Sequence, residues 1–217
     1  MKRKTVPHND AMDAFDVIMN KKKKCSVQSL KKIISGGQTG ADRAALEAAY
    51  SLGIQTGGIV PLGFITSDGK CPELGSKFHL KQLDSIQFRG KSLSHMYIER
   101  SKMNVDQSDG TIAFRLYSSN GTDKTIGYCL TGKWTIVNVT KKYVQEKKSY
   151  HRPILIIDNL HDKSNEENIR DFIDRYQIGT LNVCGHREFT DHENLKNEKF
   201  SEYVKRIMIN ALKSTSK

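Results

Sequence analysis

Three glycines within five residues are the feature of this sequence that most directly indicates a binding chemistry. They lie in the run Ser-Gly-Gly-Gln-Thr-Gly at 35–40, which follows the apolar pair Ile33-Ile34 and precedes an alanine-rich stretch of helical periodicity. Glycines allow positive φ angles and leave main-chain amides accessible, and the start of a helix carries unpaired N–H groups and a partial positive charge. The run therefore predicts a cradle for a phosphate or another anion.

The spacing of these glycines differs from two common nucleotide-binding motifs. The run lacks the Gly-Lys-Ser/Thr ending of the Walker loop, and it is not G-x-G-x-x-G. ATP hydrolysis and ordinary NAD binding lose support accordingly. An alternative stays open at this point, in which the glycines serve only the packing of a tight strand-to-helix turn.

The cysteines and histidines do not indicate a metal bound by the protein. Cys25, Cys71, Cys129 and Cys184 lie far apart and form no C-x-x-C pair, and the histidines are scattered. This spacing argues against a zinc site and against a disulfide framework. We expect free thiols in a reducing compartment and no protein-ligated metal.

Hydrophobic patterning around the glycine run predicts strands that alternate with helices. Strands are expected at 33–34, 59–60, 111–116, 134–139, 154–157 and 180–184, and helices at 41–52, 93–103, 123–130, 165–176 and in a last segment that ends at Leu212. A long loop is expected over 61–84 and a linker over 140–151. The alternation predicts a Rossmann-like, three-layer α/β/α fold with a mostly parallel sheet.

Charge divides the chain into a tail and a domain. The 217 residues carry a formal net charge of +11, and residues 1–32 hold nine Lys and Arg against three Asp, a net charge of +6. We predict a basic, largely disordered tail over 1–31 and one domain over 32–213. The domain is only mildly basic, well short of what a dedicated duplex-binding surface shows.

The tail contains a short segment at 9–20 whose apolar residues share one helical face. It predicts a docking motif for a protein or nucleic-acid partner, and the flanking basic blocks suggest a nuclear-import signal; a solvated leader is the alternative. No apolar run approaches the roughly 20 residues needed to cross a bilayer. We therefore expect a protein that does not enter membranes and that is cytoplasmic, or nuclear through its tail. We also expect a homo-oligomer.

Several blocks of the sequence resemble a known family. The run Gly-Gly-Gln-Thr-Gly-Ala-Asp-Arg at 36–43 looks like the signature of the "putative molybdenum carrier" family. This family is a branch of the SLOG group of Rossmann-like proteins, which also contains the lysine-decarboxylase-like phosphoribohydrolases. Weaker blocks follow in the family's order at 57–63, 100–111, 121–125 and 181–188. The chain departs from the family at Leu62 and Phe64, where basic residues are common, and 133–151 looks like extra chain.

The resemblance implies a ligand at the C-terminal edge of the strands. Family members are associated with the molybdenum cofactor, a pterin that carries a phosphate monoester, or with small anions, and a nucleotide is a further candidate. Gly121 and Thr122 would form a second phosphate-facing turn, and guanidinium groups would clamp the anion. The candidate ligand-binding residues are Gly36, Gly37, Gln38, Thr39, Gly40, Asp42, Arg43, Arg100, Asn104, Asp109, Gly121, Thr122, Thr125 and Arg187. For Arg43, an i,i+4 pair with Glu47 is the alternative.

Thr125 bears on whether the protein is an enzyme. The phosphoribohydrolases carry a glutamate three residues after the threonine of the corresponding turn, and a threonine hydroxyl cannot act as a carboxylate nucleophile or base. We therefore predict a binding or carrier protein for a phosphate-bearing small molecule. The alternatives are a nucleotide-derivative hydrolase that cleaves an N-glycosidic bond, and a nucleic-acid-associated protein that acts through its basic tail.

Overall fold

The computed structural model describes residues 30–137, 151–189 and 198–213. The predictions for the tail, apart from Leu30 and Lys31, lie outside these ranges. The same holds for most of the predicted linker, whose described part is residue 151.

A five-stranded parallel sheet lies at the centre of the molecule. Its strands are β1 (Lys32–Ser35), β2 (Gln55–Gly57), β7 (Gly110–Phe114), β8 (Ile154–Ile157) and β9 (Thr180–Gly185), in the spatial order β2-β1-β9-β7-β8. Continuous apolar and β-branched runs form the inner strands because both faces of a parallel sheet are covered. Since β9 lies between β1 and β7, the C-terminal ends of these three strands meet at one edge.

Helices cover both faces of this sheet. On one face α1 (Ala41–Ser51), α6 (Asn165–Arg175) and α7 (Phe200–Leu212) pack against Ile112 and Phe114 of β7. On the other face α4 (Leu93–Asp106) and α5 (Asn120–Thr131) pack against Ala113 of the same strand. Successive side chains of a strand point to opposite faces, so β7 contributes to both cores. The predicted three-layer Rossmann-like fold is confirmed.

The predicted long loop over 61–84 is partly wrong, since this region contains short elements. They are a 3-10 turn (Leu62–Phe64), β4 (Ile65–Thr66), β5 (Gly69–Lys70), α2 (Glu73–Phe78) and β6 (Lys81–Gln82). The predicted strand β3 (Ile59–Val60) precedes them, and α3 (Ser85–Phe88) follows. Leu74 and Phe78, one turn apart on α2, are buried against Leu46 of α1 and Val60. The glycines and Pro72 concealed this short amphipathic turn in the sequence pattern.

The predicted strand at 134–139 is absent over its described residues, 134–137. This segment packs instead on α5, where Gly127 leaves room for the backbone carbonyl of Thr135. Val137 adds to the core beneath α5. The apolar residues that suggested a strand are used for packing on a helix.

Candidate functional site

A cleft of about 690 Å³ opens at the C-terminal edge of the sheet. Its walls come from the turns after β1, β7 and β9 and from one face of α4, which is where doubly wound proteins bind their ligands. Eight of the fourteen candidate residues line it: Gln38, Asp42, Arg100, Asn104, Gly121, Thr122, Thr125 and Arg187. The other six are buried beneath the cleft or lie elsewhere.

The glycine loop after β1 already holds an acidic side chain, the carboxyl group of Asp42. The backbone N–H of Gln38 donates to Asp42 Oδ2 at 3.4 Å, and the amide of Gly36 donates to the same carboxylate. Arg100 Nη1 lies 3.6 Å from that oxygen. Burial raises the pKa of Asp42, and Arg100 and the two amides oppose this shift. The chain's own carboxylate therefore takes the place in which the sequence predicted a phosphate.

Close packing explains the glycines of this loop. A Cβ on Gly36 would collide with the Arg100 guanidinium, and one on Gly40 would collide with the backbone that follows β9. Gly37 has a φ of +69°, and a Cβ there would lie 2.9 Å from the side chains of Leu74 and Leu80. These glycines therefore serve the packing of the strand-to-helix turn, as the alternative interpretation stated. None of Gly36, Gly37, Thr39 or Gly40 is among the described residues that line the cleft.

Arg43, a predicted ligand residue, points away from the cleft. Arg43 Nη2 donates to the backbone oxygen of Gly37 at 3.3 Å and contacts Cys71 Sγ at 3.4 Å. Its expected partner Glu47 pairs with Lys205 of α7 at 3.0 Å instead. Because α7 packs against α1, Lys205 rather than Arg43 becomes the partner of Glu47.

Asp109 lies at the opposite edge of the sheet. Its Oδ2 accepts from the backbone N–H groups of Gly179 and Thr180, at 3.0 and 2.7 Å. These bonds tie the start of β7 to the start of β9, so Asp109 organises the amino-terminal edge and is remote from the cleft.

Asp123 shapes the turn that leads from β7 into α5. Its carboxylate accepts from Ser118 Oγ at 2.9 Å and from the backbone N–H of Ser119 at 3.1 Å, and it pairs with Arg115 at 2.8 Å. Burial would raise the pKa of Asp123, but the Arg115 guanidinium and these hydrogen bonds hold it below its ordinary value. The ionised Asp123 carboxylate thus stabilises this turn.

The N-terminus of α5 opens into the cleft. The Ser119 side chain makes no capping hydrogen bond, and a Cβ on Gly121 would meet nothing among the described residues within 4 Å. Thr122, Lys124 and Arg187 also line the cleft. Helix N-termini present unpaired amides and a partial positive charge, so this wall is suited to an anion.

Three cleft-lining side chains also hold buried donor atoms without an acceptor among the described residues. They are Gln38 Nε2, Arg100 Nε and Trp134 Nε1. The Gln38 side chain is held by the backbone N–H of Ser67, which donates to its Oε1 at 3.0 Å. An unmade hydrogen bond of a buried donor costs about 1–3 kcal/mol. Because these atoms are buried within the walls, this cost belongs to the packing around the cleft and does not select its occupant.

Asn104 and Thr125 line the cleft but are engaged with the fold. Asn104 accepts from the backbone N–H of Ile59 at 2.8 Å and donates to its carbonyl at 3.1 Å, which joins α4 to β3. Thr125 Oγ1 donates to the carbonyl of Gly121 at 3.0 Å. Both residues position the walls of the cleft.

A stacked pair of rings, Tyr117 and His186, forms the wall that the sequence analysis missed. The ring centroids lie 3.8 Å apart with an interplanar angle of 10°. His186 Nε2 accepts from the backbone N–H groups of Leu116 and Tyr117, at 2.9 and 3.2 Å, and burial lowers the pKa of His186. Its imidazole is therefore neutral, with the proton on Nδ1. The position of His186, directly after a buried strand, was the available signal.

Neither a metal centre nor a membrane span is found in the described part of the chain. Within 30–137, 151–189 and 198–213, no group of three or more His, Cys, Asp or Glu is arranged to hold a metal ion. In the same ranges no helix has the length and apolar character to cross a bilayer.

Comparison with known proteins agrees with this architecture. The family model of the circularly permutated YpsA SLOG family matches residues 33–208. The crystal structure of a "putative molybdenum carrier protein" from Syntrophus aciditrophicus SB is 26% identical in sequence, covers 87% of this chain and 96% of its own, and superposes with a TM-score of 0.57. No curated protein sequence gave a significant match. Together with the cleft at the C-terminal edge of a parallel sheet, these matches confirm the resemblance noted in the sequence: the chain belongs to the circularly permutated YpsA family of SLOG proteins, with a molybdenum carrier-like relative.

Proposed function

We propose that this protein binds a phosphate-bearing small molecule in the cleft and places the anionic group at the N-terminus of α5. The observation that carries the proposal is the open, uncapped start of this helix beside Gly121. Lys124 and Arg187, which also line the cleft, add positive charge. We therefore assign the anion site to the second glycine turn, at Gly121, because Asp42 contacts the amides of the first turn.

The molybdenum cofactor is the cargo we propose first. It joins a phosphate monoester to a pterin, and the cleft supplies an anion-binding wall at the start of α5. The relative from Syntrophus aciditrophicus SB, which carries the name of a molybdenum carrier, supports the same cargo class. A nucleotide has the same two chemical parts and is the alternative.

We further propose that the bound molecule leaves unchanged. Thr125 stands where the phosphoribohydrolases have a glutamate, and its hydroxyl is engaged with the Gly121 carbonyl, so it offers neither a nucleophile nor a base. Incubation with guanosine 5′-monophosphate (GMP), followed by chromatography, should release no guanine above the protein-free rate. Release of free base would favour the hydrolase.

The Gly121→Asp variant tests the anion site. A carboxylate in the first turn favours a helix, and nothing obstructs a side chain there, so the variant should fold at least as well as wild type. It places negative charge where the phosphate would bind. We expect GMP to bind at least ~10-fold more weakly, a loss of about 1.4 kcal/mol, by isothermal titration calorimetry.

Gly121→Ala is the matched control, and it should keep the wild-type affinity for GMP. Comparison of GMP with guanosine on the wild-type protein isolates the phosphate. Equal affinity for the two compounds, or unchanged GMP binding by Gly121→Asp, would contradict the proposed anion site.

A further inference from the structure

Tyr117 presents an aromatic face to the cleft without being buried itself. One face of its ring lies on His186, and Phe189 meets the ring edge-on at a centroid distance of 5.8 Å. Yet Tyr117 is 53% exposed as a residue and lines the cleft. Because the contacts with His186 and Phe189 restrict the ring, its second face is held as a flat surface.

The backbone reinforces this arrangement. The N–H of Tyr117 donates to Nε2 of the same imidazole on which its ring stacks, so the main chain and side chain of Tyr117 are held by one imidazole. Three residues further, the chain enters the N-terminal turn of α5. A flat ring surface and an anion-binding wall therefore belong to one continuous segment, 117–122.

The cleft also contains apolar and aromatic side chains from two other segments. Tyr97 and Ile98 belong to α4, and Trp134 follows the end of α5; all three line the cleft. Tyr97 lies against Arg100, whose guanidinium carbon is 5.8 Å from the ring centroid. A purely anionic ligand such as inorganic phosphate would leave these surfaces unused, whereas a planar ring has apolar faces that can contact them.

We propose that Tyr117 determines ligand specificity by stacking on the planar heteroaromatic ring of the phosphate ester bound in the cleft. This rests on the proposed function, because the phosphate is placed at α5 and the ring one segment away on Tyr117. Stacking of bases on aromatic side chains is strong and tolerant of the ring's identity. Tyr117 therefore selects for the ring as a class and against simple sugar phosphates.

The test compares GMP with ribose 5-phosphate on the full-length protein, by calorimetry. The two compounds share the phosphate and the sugar and differ in the ring. We expect the wild-type protein to bind GMP at least ~10-fold more tightly than ribose 5-phosphate. Trp134 is the single tryptophan of the chain and lines the cleft, so GMP should also change its fluorescence.

The Tyr117→Leu variant removes the π-face but keeps an apolar side chain of moderate size. It should lose most of the preference for GMP and bind ribose 5-phosphate as the wild type does, whereas Tyr117→Trp should keep the preference. Tyr50→Leu is the matched control, because Tyr50 is 56% exposed, packs on Phe78 and is not among the cleft residues.

Each outcome separates the two proposals. Equal binding of GMP and ribose 5-phosphate by wild type overturns the stacking role of Tyr117, even where both bind through their phosphate. Unchanged GMP affinity in a folded Tyr117→Leu protein overturns it as well. Equal binding of GMP and guanosine instead contradicts the proposed phosphate site. Failure of all these compounds to bind overturns both proposals.

Discussion

At the scale of single residues, the protonation of His186 controls one wall of the cleft. Its Nε2 accepts two backbone hydrogen bonds, and this is possible only while that nitrogen carries no proton. Burial lowers the pKa of His186 below its ordinary value near 6.5. The unfolded chain therefore binds a proton at a higher pH than the folded chain does, so stability contributed at neutral pH is lost as the pH falls through this window.

The His186→Gln variant tests this assignment, because an amide oxygen can accept a hydrogen bond but does not titrate. We expect the wild type to be more stable than the variant at pH 7.5 in urea unfolding. The difference in free energy should shrink as the pH falls to 5.5, by at most about 1.4 kcal/mol for each pH unit. A difference that stays constant over this range would contradict a neutral His186.

At the scale of elements, α1 and α5 begin with glycines at the same edge of the sheet but use them differently. Gly40 has a φ of +82° and its Cα faces the backbone after β9, whose His186 carbonyl accepts from the N–H of Ala41 at 3.0 Å. Gly121 needs no positive φ and has open space beside it. The start of α1 is thus closed by protein, and the start of α5 is open for a ligand.

Alanine substitutions should separate these two roles. Gly40→Ala forces a Cβ into backbone atoms at a positive φ, so we expect a loss of about 2 kcal/mol or more in the free energy of unfolding. Gly121→Ala should be neutral or stabilise the protein by up to about 1 kcal/mol, because alanine favours helix over glycine. Urea unfolding measures both, and equal effects of the two changes would contradict the distinction.

At the scale of the whole molecule, the pair Asp42–Arg100 joins the two helical layers across the edge of the sheet. Asp42 belongs to α1 on one face and Arg100 to α4 on the other, and their side chains are 5% and 13% exposed. Loss of one member of a buried ion pair leaves an uncompensated charge, whereas loss of both can be nearly neutral. The pair therefore couples the cleft floor to the packing of α4.

A double-mutant cycle should reveal this coupling. We expect Arg100→Met to lower the free energy of unfolding by about 3 kcal/mol, and Asp42→Asn with Arg100→Met to recover part of that loss. Chemical denaturation of the wild type, both single variants and the double variant gives the interaction energy. Additive effects of the two substitutions would show that the contact contributes nothing as a pair.

Much of the architecture followed from local patterns. Apolar runs such as Ile154–Ile157 and periodic stretches such as 165–176 depend on the chain's own hydrophobicity, so their strand or helix was correctly predicted. The short elements at 62–82 and the segment at 134–137 were misjudged because packing against α1 and α5 overrides a weak local preference.

What the sequence determined by itself was a strand, a glycine turn and a helix whose amides would meet a negative charge. Tertiary structure decided which charge, since Asp42 reaches those amides from four residues away and Arg100 arrives from a helix on the other face. The same long-range packing brought Tyr117 and His186 together across 69 residues of chain. Spacing along a chain specifies which groups exist, but hydrogen-bond partners and stacking faces are chosen by distance in space, which only the assembled layers define.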